Sequence, residues 1–489
     1  MHVPPELPIS TEDWEKTPAR VQAVIPLLWE ENQALKVQIV QLQNQVEKLQ
    51  AEVVKLRERV SKNSQNSSKP PSSDPPQMPR YPQPEPSGEK KGGRKGHHGH
   101  GRKLKGPEEV SRIVKSLPTV CKDCGALLMG EDSQPERHQV SEVPKIVPEI
   151  VEYQRHTLKC RVCGARNRAE WPKEMPTGSF GERLQGLIGY LGGRFGMSQR
   201  DMDEMLETVF QVEIGLGSIP AQEQRVSQAL KQPVEAAQHY VQTQKAVNLD
   251  ETGWHELAKQ VWLWVCTTPH VTVFRIFQGR GGSGAAELLG DNYTGTVGSD
   301  RYSAYNWLDP RYRQVCWAHL KRDFQAWVER GGESAVIGRL LLACLKKFFG
   351  FWHRVRDGTL ARVDFQTAMR PIRDEVVGLL EIGTLLDHSE TRRTCHNILK
   401  VKQALWTFVD REGVEPTNNA AERALRRGVI WRRRSYGTQS ENGSLFVERI
   451  LTTVMTLRQQ KRDVLDYLEA ACKAVTLGIP APSLLPAGG

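Results

Sequence analysis

A seven-residue repeat of leucine is the clearest pattern near the start of the chain. Leucine occupies every seventh position from Leu28 to Leu56, and the position four residues after each leucine is Asn32 or a β-branched residue. This arrangement favours a parallel two-stranded coiled coil, in which one polar residue at the seam sets the register. The repeat predicts a leucine zipper over residues 26–60, which would make the protein a homodimer or a higher homo-oligomer. The alternative is a single amphipathic helix that packs on its own domain.

The next segment, residues 61–105, has almost no apolar positions. Met78, Tyr81 and Leu104 are its apolar residues, among eight prolines, ten lysines or arginines and three acids. Such a segment cannot bury enough surface to offset its conformational entropy. It predicts a disordered basic linker, which either holds loosely to phosphates or is a plain spacer.

Further along, the periodicity changes twice. Residues 180–230 have helical periodicity in three segments, the second with Ser198 as a candidate N-cap. A helix-turn-helix that reads DNA and a plain helical bundle both fit three short helices, so both remain open. From Lys245 the pattern is that of a strand, a hairpin, a helix and another strand, which predicts an α/β domain with a mixed central sheet. Residues 318–412 then have an almost wholly helical pattern.

Two aspartates stand at expected strand ends of this α/β domain. Asp250 would end the first strand and Asp300 the fourth, which would bring them side by side. Glu251 would point to the opposite face of the sheet, because successive side chains of a strand alternate. The alternative is that both aspartates are ordinary turn residues.

A helix beginning near Asn418 would place Asn419, Glu422, Arg423 and Arg426 on one face. Glu422 could then join the two aspartates to hold a divalent metal ion, with arginines beside it for DNA phosphates. The candidate DNA-binding residues are Arg423, Arg426, Arg427, Arg432, Arg433 and Arg434. Alternatively, Asn419 and Glu422 form a capping box, which needs no catalysis.

Composition limits the class of protein. A length of 489 residues favours about three domains. The 67 Lys and Arg exceed the 57 Asp and Glu, giving a net charge of +10, which favours a polyanionic partner. The proline-rich, acidic start differs from a signal peptide, and no apolar run reaches the roughly 18 residues of a membrane span. We therefore expect a soluble, cytoplasmic protein.

Four of the nine cysteines form two C-x-x-C pairs, Cys121 with Cys124 and Cys160 with Cys163. Each pair is followed by glycine, as in a knuckle that presents two thiolates to one ion. Four thiolates make a closed structural zinc site, so we expect one Zn²⁺ here. The alternating residues between the knuckles predict the strands of a ribbon. Free cysteines in coincidental pairs are the alternative.

Several longer pieces carry a resemblance. LDETGW, GSDRYSAYNWL, CWAHLKRDF, VEPTNNAAERALR and WRRRSYGTQSENG resemble the core of the bacterial insertion-sequence-66-type transposases. NSSKPPSSD and GRKGHHG resemble the linker that precedes the zinc domain in that family. The resemblance implies an RNase H-like catalytic domain of the DDE type, with Asp250, Asp300 and Glu422 at the three acidic positions. It also implies a helical insertion in the 121 residues between Asp300 and Glu422.

The resemblance further implies the chemistry. Two Mg²⁺ (or Mn²⁺) ions would be held with Asp250 bridging them and Asp300 and Glu422 on one ion each. Water would cut the ends of the element, and the freed 3′ hydroxyl would attack target DNA. Cys316 and His319 match a C-x-x-H pattern and are expected, with Asn419, to support the site. Expected partners are the terminal inverted repeats, the target DNA and two small accessory proteins of the same element, in the bacterial nucleoid.

Two other functions stay open on the sequence. One is a nuclease of the same fold that hydrolyses DNA without strand transfer. The other is a catalytically inactive DNA-binding regulator with a zipper and a zinc domain.

The predicted organisation is a multidomain α/β protein. Its segments are a flexible N-terminus (1–25), the coiled coil (26–60), the basic linker (61–105), a zinc-ribbon-like domain (106–175), a helical region (176–240), the first part of the RNase H-like core (241–320), a helical insertion (321–412), the glutamate helix of the core (413–450), and a C-terminal helix and tail (451–489).

Overall fold

The computed structural model describes residues 7–67, 103–176, 178–290 and 292–486. The N-terminal part is more helical than predicted, with a short helix α1 (Thr11–Glu15) and a 43-residue helix α2 (Ala19–Ser61). The prediction of a flexible segment up to residue 25 is therefore wrong for residues 11–15 and 19–25. Ser10 explains part of the difference, because its hydroxyl accepts the N–H of Asp13 and caps α1.

Helix α2 carries the leucine repeat on an open face. The repeat leucines, from Leu28 to Leu56, are between 48% and 61% exposed. The described ion pairs join only its C-terminal end to the rest of the chain, because Glu58 lies 2.8 Å from Arg330 Nε and 3.6 Å from His388 Nε2. Most of the predicted linker, residues 68–102, lies outside the described residues.

The region of the two C-x-x-C pairs has little regular structure. Its strands are β1 (Thr157–Lys159) and β2 (Arg166–Arg168), which form a hairpin around the second pair, and one bridge joins Val120 to Leu127 around the first. The ribbon strands predicted between the pairs are mostly wrong, since residues 135–156 are described and contain no strand. Their valines and isoleucines are exposed and Pro144 and Pro148 interrupt them, so no apolar face is buried that would fix a register.

The helical region that follows was predicted correctly as helical. It contains α3 (Glu182–Tyr190), continued by a π-helical turn (Leu191–Phe195), then α4 (Gln199–Phe210), α5 (Ser218–Ala229) and α6 (Lys231–Gln242). Ser198 caps α4 by accepting the N–H of Asp201, as the sequence predicted. Ile188, Met202 and Ile219 form its small core.

The centre of the molecule is a five-stranded mixed sheet in the order β5-β4-β3-β6-β7. Its strands are β3 (Ala246–Glu256), β4 (Lys259–Thr267), β5 (Thr272–Phe277), β6 (Thr296–Ser299) and β7 (Arg313–Val315), with α7 (Gly282–Leu289) between β5 and β6. Strands β3 to β5 are antiparallel, while β6 and β7 run parallel to β3. The prediction of a mixed sheet is confirmed.

Helices cover both faces of the sheet. One face packs on α5, α6, α14 (Glu441–Gln459) and α15 (Val464–Leu477). The other face packs on α13 (Asn419–Ser435) and the opposite side of α14. Residues of β3 alternate accordingly: Val247 and Leu249 lie in the first core, and Trp254 lies in the second.

Helix α14 lies along the edge strand β5 and covers its free N–H groups. The N–H of Phe274 donates to Thr452 Oγ1 at 2.9 Å, and the N–H groups of Thr272 and Ile276 donate to the side chains of Thr456 and Glu448. The spacings agree, because four helical residues rise about 6 Å and two strand residues about 6.6 Å. The sheet edge is thereby closed to pairing with another chain.

The predicted helical insertion is present between β7 and α13. Its helices are α8 (Trp317–Arg330), α9 (Gly332–Arg356), α10 (Arg362–Gly383), α11 (Ser389–Lys400) and α12 (Thr407–Asp410). They share an aromatic core that includes Trp317, Phe348, Trp406 and Phe408. Within the four described ranges, no helix combines the length and apolar character of a membrane span.

Candidate active site

Parallel pairing of β3 and β6 brings two aspartates to matching positions. The last registered pair is Asn248 with Gly298, and Asp250 and Asp300 stand two residues further along each strand. Asp300 follows the end of β6, as predicted. Asp250 does not end its strand, because pairing with β4 extends β3 to Glu256. The prediction that Asp250 ends the first strand is therefore wrong.

Alternation along β3 separates Asp250 from its neighbour Glu251, as expected. Even-numbered residues of this part of β3 face helix α13, since Asn248 bonds to Asn418. Glu251 is buried on the other face, where Arg280 Nε donates to it at 3.0 Å and the Tyr305 hydroxyl at 2.5 Å. Glu251 already has these partners, whereas Asp250 faces the helix that carries Glu422.

A buried arginine shapes the turn that follows β6. Arg313, on β7, donates from Nη2 to the carbonyl of Asp300 at 2.8 Å and from Nε to Ser299 Oγ at 3.1 Å. The Asp300 carboxylate also accepts the N–H of Tyr302 at 2.9 Å. These bonds fix the backbone around Asp300, so its carboxylate leaves the sheet in a defined direction.

Asn418 ties the start of α13 to the strand that carries Asp250. Its Nδ2 donates to the carbonyl of Leu249 at 2.6 Å, and its Oδ1 accepts from Asn248 at 2.9 Å. The predicted supporting residue, Asn419, is exposed on the first turn instead. The helix begins one residue earlier than the capping-box reading requires, with Asn418 at the N-cap and no side-chain cap bond. The capping-box alternative for Glu422 is therefore wrong.

Glu422 instead points toward the first turn of α8. Its Oε1 lies 3.5 Å from His319 Nδ1 and 3.7 Å from Arg322 Nη2. Both Glu422 Oε1 and His319 Nδ1 are buried and have no hydrogen-bond partner among the described residues. Cys316 completes the group, because one ligand atom each of Cys316, His319 and Glu422 lies within 4.8 Å of the others. The C-x-x-H pair and the glutamate, predicted separately, thus meet.

The electrostatics are those of crowded carboxylates. Burial raises the pKa of Asp250 well above its usual value, and the neighbouring charges of Glu251, Asp300 and Glu422 raise it further. Burial also lowers the pKa of His319, with help from Arg322. Asp250, Asp300 and Glu422 interact, but among the described residues they are not a group converging within 4.8 Å. Carboxylates that serve two ions about 3.5–4 Å apart do not all have to converge on one point.

The two C-x-x-C pairs have matching local geometry. Gly125 and Gly164 follow the pairs with φ of +76° and +70°, and each donates its N–H to the first cysteine of its pair, Cys121 or Cys160. Backbone N–H groups, chiefly that of the second cysteine, lower the pKa of Cys121 and of Cys160. Across residues 118–164, no three of the four sulfurs lie within 4.8 Å of one another. Each C-x-x-C pair therefore has the tight turn of a knuckle, but the sulfurs of the two pairs do not converge on one point in this structure.

The predicted DNA-binding arginines all lie on α13, but they differ in environment. Arg423, Arg426, Arg433 and Arg434 are exposed. Arg432 is bound to the carbonyl of Gly253 and to Thr252, so it joins α13 to β3.

Sequence reasoning missed several residues of this region. Arg194 and Arg458 are two of them, because Arg458 and the predicted Arg427 lie close enough to Arg194 for their charges to lower the pKa of Arg194 beyond the effect of burial. This cluster of three cations, drawn from the π-helical turn, α13 and α14, was not predicted because its members are distant in sequence. Arg313 and Asn418 were missed for the same reason.

Comparison with known proteins gives three family matches. The model of the family described as "Transposase IS66 family" matches residues 178–445. The model described as "zinc-finger binding domain of transposase IS66" matches residues 118–164, which include all four knuckle cysteines. A family of unknown function, DUF6444, matches residues 15–103.

Two proteins of Sinorhizobium fredii (strain NBRC 101917 / NGR234) are similar to the chain. One, named "Uncharacterized protein y4qI", is 25% identical over 251 residues, which cover 46% of each chain. The other, named "Uncharacterized protein y4hP", is 23% identical over 396 residues, which cover 74% of this chain and 71% of the relative. The chain thus matches about half the length of the first relative.

Proposed function

Because this chain belongs to the transposase IS66 family, we propose that it binds the ends of an insertion sequence and catalyses metal-dependent DNA cleavage and strand transfer. The observation that carries the proposal is the placement of three acids. Asp250 and Asp300 occupy matching positions on parallel strands, and Glu422 comes from the helix that packs on the Asp250 face. The proposed catalytic residues are these three.

The sheet supports an RNase H-like core. If strands β3 to β7 are numbered 1 to 5 along the chain, their order across the sheet is 3-2-1-4-5. The first three are antiparallel, and the last two run parallel to the first. We assign residues 241–320 and 413–450 to this core and residues 321–412 to an insertion. The insertion has a core of its own, so it can extend the catalytic domain without disturbing the sheet.

The three carboxylates fit hard divalent ions. Asp250, Asp300 and Glu422 offer oxygen ligands, and Asp250 carries a strong penalty for ionisation that a bound cation would relieve. Two Mg²⁺ or Mn²⁺ ions, when bound, supply activation of the attacking oxygen and stabilisation of the leaving one. The chain itself holds the carboxylates in place, through Arg313 at the Asp300 turn and Asn418 at the start of α13.

Cations near these acids support a DNA substrate. Exposed arginines follow Glu422 along α13, and a phosphate near Arg194 would relieve the repulsion that Arg427 and Arg458 exert on it. The helical region that supplies Arg194 would then contact DNA whether or not it is a helix-turn-helix. A zinc-binding domain with Cys121, Cys124, Cys160 and Cys163 as ligands, and a coiled coil over residues 26–60, complete the proposed assembly on DNA.

The deciding experiment uses full-length protein, Mg²⁺ and a labelled DNA end of the element. Wild type is expected to nick the end and to join a precut end to target DNA. Asp250→Asn, Asp300→Asn and Glu422→Gln should reduce both reactions to background while DNA binding persists. Glu415→Gln is the matched control, because Glu415 is exposed near the same helix and should leave both reactions unchanged.

Other outcomes would change the assignment. End cleavage without joining of the precut end would indicate a nuclease. DNA binding with no Mg²⁺-dependent nicking would indicate a catalytically inactive regulator. Normal cleavage by Glu422→Gln would remove Glu422 from the catalytic set.

A further inference from the structure

Three different metal-ligand atoms converge beside the proposed catalytic acids. They are a thiol, an imidazole and a carboxylate, from Cys316, His319 and Glu422, all within 4.8 Å of one another. In the described part of the chain this is the one such group of three. Two of its atoms, His319 Nδ1 and Glu422 Oε1, are buried without a hydrogen-bond partner there. A buried polar atom without a partner is costly, so a ligand that satisfies both would be stabilised.

Rigid elements build this group. Cys316 is the N-cap residue of α8 and His319 lies in its first turn, so the i to i+3 spacing puts both on one side of the helix. The N–H of Cys316 donates to Ser299, which fixes α8 against the end of β6. The N–H of Asn418 donates to Cys316 Sγ at 3.1 Å, in the way that outer-shell groups orient a metal-bound thiolate.

The spacing is close to that of a tetrahedral ion. Ligand atoms 2.0–2.3 Å from a zinc ion lie roughly 3.3–3.8 Å apart. His319 Nδ1 and Glu422 Oε1 are already 3.5 Å apart. The positive charge of Arg322, whose Nη2 lies 3.7 Å from Glu422 Oε1, disfavours a metal cation at this site. The negative charges of Asp300 and Asp323 near His319 favour one.

The identity of the atoms selects the ion. Magnesium prefers oxygen ligands in an octahedron, whereas a sulfur, nitrogen and oxygen set suits zinc and similar borderline-soft ions. Three protein ligands also leave a fourth position open. We propose that Cys316, His319 and Glu422 bind one Zn²⁺-class ion, at a site separate from the C-x-x-C pairs and distinct in chemistry from the Asp250 and Asp300 carboxylates.

Shared use of Glu422 gives this site a regulatory consequence. A zinc ion that holds Glu422 against α8 withdraws it from the ions of the catalytic site, so zinc should inhibit cleavage. This consequence rests on the proposed function, whereas the binding itself does not.

The binding test needs no DNA and no activity. Full-length protein is first given one equivalent of Zn²⁺ per chain, which the four thiolates of the C-x-x-C pairs should bind in preference to the three mixed ligands. It is then titrated with Co²⁺, and binding is followed by the thiolate-to-cobalt absorption band and by metal analysis. Wild type should take up about one further equivalent per chain. Cys316→Ser and His319→Ala should lose that equivalent, while Cys266→Ser, which changes another buried free cysteine, should keep it.

Circular dichroism and retention of the zinc at the C-x-x-C pairs would show that the variants are folded. Equal cobalt uptake by folded Cys316→Ser and Cys266→Ser would overturn the site. A tenfold excess of Mg²⁺ should leave the cobalt band unchanged, and its disappearance would also overturn the assignment. If zinc binds but does not inhibit Mg²⁺-dependent cleavage, the proposed zinc site is supported and the proposed inhibition is wrong.

Discussion

The side chain of Asn418 donates a hydrogen bond of 2.6 Å to the carbonyl of Leu249, the residue immediately before Asp250. Its amide oxygen is also occupied, because it accepts from Asn248 at 2.9 Å. One buried amide therefore sets the position of the helix that carries Glu422 relative to the strand that carries Asp250. Two of the proposed catalytic acids owe their spacing to this contact.

Replacing Asn418 should damage cleavage more than DNA binding. Asn418→Leu keeps the volume but leaves the Leu249 carbonyl buried without a donor, which costs about 1–3 kcal/mol of unfolding free energy. The start of α13 would also shift, so Mg²⁺-dependent cleavage should fall while the apparent Kd for the element end stays within about twofold. Asn419→Leu, on the exposed neighbour, should change the unfolding free energy by less than about 0.5 kcal/mol. Equal cleavage by the two variants would contradict the role of Asn418.

When divalent metal is removed, the ionised carboxylate of Asp250 should lower the free energy of unfolding. Its pKa in the folded state is raised, so the folded protein holds a proton that the unfolded chain has lost. Stability therefore falls as pH rises from the unfolded pKa toward the folded one, by about 1.4 kcal/mol per pH unit within that interval. Asp250→Asn should be more stable than wild type at pH 8 in a chelator, and the difference should shrink toward pH 4. Urea unfolding at several pH values would measure this, and a difference that grows as the pH falls would show that the sign is wrong.

Adjacent threonines on α14 provide a matched test of the edge contact. Both are buried, but Thr452 Oγ1 accepts the N–H of Phe274, whereas Thr453 Oγ1 has no partner in the described part of the chain. Thr452→Val should lower the unfolding free energy by about 1–3 kcal/mol, because it leaves a buried N–H without an acceptor. Thr453→Val removes an unsatisfied hydroxyl and should be neutral or stabilising. Chemical denaturation of both variants measures the two changes in unfolding free energy. Equal decreases would contradict a stabilising hydrogen bond from the N–H of Phe274 to Thr452.

Local patterns in the sequence predicted several features of the proposed catalytic region. Alternation located the strands and placed Glu251 opposite Asp250. Cys316 and His319, expected as site support on a C-x-x-H match, lie three residues apart at the start of one helix. These features depend on residues close together in the chain. The Asp250 and Asp300 positions were also predictable as a pair, because the fold brings β3 and β6 together.

What the sequence did not predict depends on distant partners. Strand β3 runs past Asp250 because β4 pairs with it, and the length of a strand is set by its neighbour. The capping-box alternative placed Asn419 at the N-cap of α13, whereas Asn418 takes that position and bonds to Leu249, which is 169 positions away. The strands predicted between the two C-x-x-C pairs are mostly absent because they lack a distant partner. An alternating pattern forms a strand only where one face is buried, and the apolar residues of this segment are exposed.

The C-x-x-C pairs should share one zinc ion although they lie apart in this structure. One ion held by four thiolates is lost when any one of them is removed, because three ligands bind more weakly and the site opens. Cys121→Ser and Cys160→Ser should therefore each release about one equivalent of Zn²⁺, and the double variant should release no more than either. Metal analysis of the full-length proteins gives the count. Loss of a second equivalent in the double variant would mean that the two pairs bind separate ions.

The leucine face of α2 should hold the protein in a dimer. Its leucines are about half exposed in the single chain, and burying them against a second copy would remove apolar surface worth about 25 cal/mol for each Å². Leu42→Lys places a charge in the middle of this seam, so sedimentation equilibrium should show wild type as a dimer and the variant shifted to monomer at micromolar concentration. Asn44→Lys adds the same charge two residues away, at a position facing outward in the heptad, and should remain dimeric. If both variants stayed dimeric, association would have to occur through another surface. If both became monomeric, added charge alone would account for the loss, and the heptad assignment would be wrong.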